Sequence, residues 1–178
     1  ECPDGTAVSH VYNPLSDGRI TSRNINRSLA KGLLEPGQKS KIHVHPVVDM
    51  KILVTSGDLD LELSEDLVEK LKVGESFLVK AGQPVRLVNS GGQEQLNLLY
   101  DCSPAFLATE SYDDAIILGD TWDEASEGLT LITGLEHSKS LRDKALSKLD
   151  NSINQNQSFT IIRAKDCSIF EDPVCGVM

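Results

Sequence analysis

Between Ser28 and Tyr100 the chain runs through seven short strand-like stretches in roughly 75 residues, nearly all of them bounded by turn residues. Ser28 to Leu34 is followed by the turn Glu35-Pro36-Gly37. Lys41 to His45 ends at Pro46, whose missing backbone donor suits a strand edge or a bend. Lys51 to Thr55 leads into Ser56-Gly57-Asp58. Leu59, Leu61 and Leu63 alternate with Asp58, Asp60 and Glu62, the period-two signature of a strand with one wet face. Glu65 to Leu71 reads as a short polar connection. Ser76 to Lys80 breaks at Ala81-Gly82, Val85 to Asn89 breaks at Ser90-Gly91, and Gln95 to Tyr100 closes the series near Pro104. The pattern predicts an all-β sandwich or barrel.

The flanks read differently. Residues 1–25 form an N-terminal extension, loop-like with short strands, and 26–104 the barrel core. Residues 105–178 form a C-terminal extension that packs on the barrel or completes it. In that extension Ala115 to Leu118 is an apolar patch and Leu129 to Thr133 reads as a strand. Leu141, Ala145, Leu146 and Leu149 recur at helical spacing, which predicts one amphipathic helix over Ser138 to Leu149. Asn151 to Ser158 is a polar connector, Phe159 to Arg163 a final strand, and Cys167 to Met178 an irregular tail. Glu136 and His137 read as a surface pair before the helix.

Composition excludes some partners. Across 178 residues, 17 Lys and Arg face 27 Asp and Glu, a formal charge of -10. A phosphate backbone or an anionic bilayer needs a basic surface, so neither nucleic acid nor membrane is expected. No apolar run approaches the ~18 residues of a spanning helix. The chain begins at Glu1 without Met, as a removed signal peptide or a trimmed terminus would each leave it. Four cysteines (Cys2, Cys102, Cys167, Cys175) lack the spacing of a zinc knuckle. They suit disulfides in a secreted, extracytoplasmic chain, with Cys2 inviting a staple; sequence does not rank the three pairings. Two sequons, Asn26-Arg27-Ser28 and Asn156-Gln157-Ser158, add little.

Chemistry concentrates in Gly37 to Gly57, where His43 and His45 flank Val44 on a strand. Residues i and i+2 share a face, so both imidazoles aim at one point. Two convergent imidazoles commonly begin a site for Zn, Fe, Ni, Cu or Mn. The plainer reading is two rings in a polar barrel mouth, hydrogen-bonded to water or to neighbours. Trp122, Phe77 and Phe106 read as core that could also line a pocket.

These segments resemble the two motifs of the cupins, a jelly-roll β-barrel superfamily. Gly37, His43, His45 and the closing Gly57 fit the first motif. Gly74, Gly82 and Asn89 keep the spacing of the second. The resemblance implies a cupin-like jelly-roll with N- and C-terminal extensions, one C-terminal helix, and pairing into a homodimer. It also implies that metal, where bound, sits on the two histidines, a glutamate, and a histidine of the second motif. Counting back from Gly57 puts Met50 in the glutamate place, whereas counting forward from His45 puts Asp49 there. A one-residue shift turns a strand side chain to the other face, so Asp49 can serve only if the chain bulges after Pro46. Val85 occupies the second-motif histidine place. Two functions follow as expectations. One is a metal-dependent enzyme (lyase, isomerase or dioxygenase) holding Fe, Mn, Ni or Zn on His43 and His45, with a third ligand from Asp49 or a residue outside the motifs, and acting on a small organic acid, sugar or polyketide-like substrate. The other is a degenerate cupin that binds a small ligand or serves assembly.

Overall fold

The computed structural model describes residues 2–15, 26–131 and 135–155. In chain order its strands are β1 (Ala7–Tyr12), β2 (Ser28–Leu34), β3 (Ile42–Val44), β4 (Asp49–Ser56), β5 (Leu59–Glu62), β6 (Val68–Leu71) and β7 (Ser76–Val79). They continue with β8 (Pro84–Asn89), β9 (Leu96–Ser103), β10 (Ala108–Thr109), β11 (Tyr112–Asp113) and β12 (Ile116–Gly119). Helices α1 (Trp122–Leu131) and α2 (Leu135–Gln155) follow.

Two five-stranded antiparallel sheets stack face to face, one ordered β1-β2-β9-β4-β7 and the other β12-β3-β8-β5-β6. The chain passes repeatedly between them, which is the jelly-roll path. Period-two patterning fills the space between: along β9 buried and half-buried residues alternate, and Leu96, Leu98, Tyr100 and Cys102 face inward. Met50, Ile52 and Val54 of β4 meet Leu59, Leu61, Val85 and Leu87 from the facing sheet. Gly57 makes the turn between β4 and β5 possible. Its φ is 80°, and a Cβ there would stand 3.0 Å from the Leu96 Cα.

Both flanking regions contribute strands. β1 is one edge of the first sheet, and β12, from the Ala115 to Leu118 patch, is one edge of the second. Helix α2 lays Ala145, Leu146 and Leu149 on Leu15, Ala105, Leu107 and Tyr112. No helix among the described residues is long and apolar enough to cross a membrane.

Several expectations need correcting. Glu65 to Leu71 is not only a connection, because Val68 to Leu71 pairs with β5 as an edge strand. The expected C-terminal helix is α2; ahead of it α1 takes Leu129 to Leu131, expected as strand. A capping box starts α1: Thr121 Oγ1 accepts the Glu124 N–H, while Glu124 Oε2 accepts the N–H groups of Asp120 and Thr121. Helix α2 runs well past Ser138 to Leu149 in both directions, absorbing His137 and the start of the Asn151 connector. The final strand Phe159 to Arg163, the tail, Cys167, Cys175 and the second sequon lie outside the described residues. Among the described residues, Cys2 and Cys102 are free thiols with no disulfide between them.

Candidate functional site

Strand β3 is covered on both sides. Ile42 and Val44 face outward but are buried against Leu118 and Ala125 of β12 and α1. His43 and His45 face inward, 3% and 5% exposed, with ring centroids 5.2 Å apart and planes nearly perpendicular. His43 Nδ1 lies 3.0 Å from the Lys41 carbonyl oxygen, and His45 Nδ1 lies 3.1 Å from that of Asp114. A carbonyl can only accept, so each ring carries a proton on Nδ1, and in the neutral His45 ring this leaves Nε2 as an acceptor. His45 Nε2 is buried with no partner. Burial, then the neighbouring His43, pushes the His45 pKa down to about 3, so this ring is neutral at physiological pH.

The imidazoles line a cavity of about 280 Å³ between the sheets. Val8, Met50, Leu87, Phe106 and Ile117 supply apolar wall. Asp4, Tyr100, Cys102 and Asp113 supply polar wall, with Cys2 and the exposed His10 also on it. The Tyr100 hydroxyl is a second buried polar atom without a partner. Its pKa is raised, chiefly by burial, so it stays a phenol. Burial also pushes the Cys102 thiol up to about 12 and raises that of Cys2, so neither is an activated nucleophile. Asp4 accepts from the Thr6 N–H and hydroxyl, and its Oδ2 lies 4.0 Å from His43 Nδ1. Asp113 Oδ1 accepts from the Ala115 N–H, and burial raises its pKa.

Asp114 holds the floor under His45. Its carboxylate is fully buried and accepts from the Leu107 N–H (2.7 Å), the Tyr112 hydroxyl (2.6 Å) and Arg142 Nε of α2 (3.1 Å). Arg142 also donates to the Ala105 carbonyl. The carbonyl that fixes the His45 tautomer therefore belongs to a residue clamped by a buried ion pair.

Of the three residues expected to bind metal, the fold brings two together. Asp49 stands elsewhere: its carboxylate accepts from Lys80 Nζ at 2.8 Å and the Ala81 N–H at 2.9 Å, and Lys80 lowers its pKa. The β4–β9 register is regular from Asp49 to Val54, so Met50, not Asp49, faces the cavity. Val85 sits opposite His43 across the β3–β8 pair and is fully buried. Among the described residues no group of three or more His, Cys, Asp or Glu is arranged to hold a metal ion. Of the four ligands that the resemblance implies, the two histidines are here, and Met50 and Val85 stand in the other two places. Tyr100, Asp4 and Asp113 were not singled out from sequence. Only Tyr100 carried a signal, since it shares the inward phase of Leu96 and Leu98.

No protein-family model matches the chain, and no curated protein sequence matches it. Solved structures do. A cupin-like protein from Thermotoga maritima is 18% identical over 69% of this chain and 84% of its own, with a TM-score of 0.52. Peruvianin-I, a cysteine peptidase from Thevetia peruviana latex, is 18% identical over 67% of this chain and 70% of its own, with a TM-score of 0.50. At such identities the likeness is one of fold.

Proposed function

We propose that this chain, a jelly-roll protein of cupin fold, binds one small organic molecule between its sheets on His43, His45 and Tyr100. The observation that carries the reading is the pair of buried, unpartnered polar atoms, His45 Nε2 and the Tyr100 hydroxyl, on two side chains that line one cavity. An unsatisfied buried polar group costs about 1–3 kcal/mol, so a ligand that pairs both recovers that cost on binding. The cavity lies near the small end of ligand sites, which run from roughly 300 Å³. Cys2 and Cys102, with raised pKa values, favour a binding role over nucleophilic chemistry.

One observation favours a second reading. Both Nδ1–H groups are held by carbonyls, the outer-shell support that metal-binding imidazoles commonly have. On that reading Fe, Mn, Ni or Zn would bind at the two Nε2 atoms and polarise a substrate or activate water. Asp49, tied to Lys80, would have to abandon an ion pair and cross its strand to join.

Metal analysis and native mass spectrometry of the tag-free chain separate the two. The expected result is metal well below one equivalent, unchanged in a His43→Ala/His45→Ala variant. One equivalent of metal, lost in that variant, would overturn the binding reading in favour of the metal-dependent one.

A further inference from the structure

We infer that the polar head of the ligand is a protonated primary amine, carried on a short apolar body; the inference rests on the small-molecule reading above. Among the described residues lining the cavity there is no Lys and no Arg, but there are two carboxylates, Asp4 and Asp113. Of the two buried polar atoms without a partner, His45 Nε2 can only accept. The wall is therefore rich in acceptors and negative in charge, and its complement is a group rich in donors and positive in charge.

Three candidate heads respond differently to that wall. A carboxylate would enter beside Asp4 and Asp113 with no Lys or Arg among the described lining residues to receive it, and burying an unpaired charge is prohibitive. This removes the small organic acids that the sequence left open. A hydroxyl can donate to His45 Nε2 and accept from the Tyr100 O–H, but it brings no charge to set against the carboxylates. An ammonium brings three donors and no acceptor. It can give one each to His45 Nε2, the Tyr100 oxygen and a carboxylate, and that carboxylate supplies the counter-charge a buried ammonium requires. The raised pKa of Asp113 agrees, since burial there is uncompensated by any cation. The chain's charge of -10 draws a cation toward the mouth. Val8, Met50, Leu87, Phe106 and Ile117 then receive the apolar body, and about 280 Å³ limits it to the scale of one ring.

Isothermal titration calorimetry on the full chain at pH 7 tests this with three probes that share one ring: benzylamine, benzyl alcohol and benzoate. Benzylamine should bind at least about tenfold more tightly than benzyl alcohol, because charge-assisted hydrogen bonds are roughly twice as strong as neutral ones. Benzoate should show no binding. The near-isosteric Asp113→Asn should weaken benzylamine about tenfold and leave benzyl alcohol unchanged. If benzyl alcohol or benzoate matches or exceeds benzylamine, the amine head is overturned while the small-molecule reading stands. If none of the three binds, the amine head is overturned as well. The small-molecule reading falls with it if the chain also carries one equivalent of metal lost in His43→Ala/His45→Ala.

Discussion

His45 is where residue-level chemistry meets the fold. In the unfolded chain its ring titrates near the ordinary 6.5, whereas burial and His43 lower the folded value to about 3. Between those values the unfolded chain binds more protons, so this contribution to stability is complete above about pH 6.5 and drains away as pH falls toward 3. Urea unfolding at a series of pH values should show this directly. Between pH 6.5 and 4 the native chain should lose up to about 1.4 kcal/mol per pH unit more than a His45→Gln variant, the limit for one proton. Equal slopes in the two proteins would show that the ring is not the neutral, buried group described. The shared face of His43 and His45 was legible because a strand's period alone sets it. The proton positions were not, because the accepting carbonyl of Asp114 lies 69 residues away in the chain.

Two ion pairs of similar chemistry differ at the level of the elements they join. Arg142 ties α2 to the β11–β12 segment through Asp114, with side chains 9% and 0% exposed. Lys80 meets Asp49 beside β4 with side chains 63% and 36% exposed. Removing one partner of a buried pair strands the other, so Arg142→Ala should cost about 3–5 kcal/mol. Lys80→Ala should cost no more than about 1 kcal/mol, because water screens the pair it breaks. Chemical denaturation of both variants checks this, and a comparable loss in the two would contradict the clamp. Most elements could be read locally, since β2, β4, β5 and β9 carry their alternation in the sequence. Helix α1 was legible too, in the Thr121-x-x-Glu124 box, but the β-branched and apolar run from Leu129 masked it. β6 was not: Val68 to Leu71 has a largely exposed, polar face and becomes a strand by pairing with β5. The docking of α2 is likewise tertiary, as its own pattern marks Leu141 as apolar face although that residue is 40% exposed.

At the scale of the whole molecule, Cys102 reports on closure of the sandwich. It is 5% exposed on β9, and burial pushes its thiol up to about 12. Alkylation at neutral pH should spare it in the native chain and reach it once denaturant opens the sheets, while half-buried Cys2 reacts first. Peptide mapping without reduction should find both free. Native labelling of Cys102 at the unfolded rate would mean that the sheets open far more readily than this packing implies. A Cys2–Cys102 link would instead point to an oxidising compartment, where disulfides persist.

Sequence alone determined the series of short strands, the glycine turns and the common face of the two histidines. Each depends on a backbone period or a turn that neighbouring residues impose. Only the tertiary structure decided what those histidines face. Sheet pairing sets Met50 and Val85 where further ligands would stand, turns Asp49 away to Lys80, and gathers Asp4, Tyr100 and Asp113 around one cavity. Residues that far apart in the chain become neighbours through the stacking of two sheets, and no local pattern encodes that meeting.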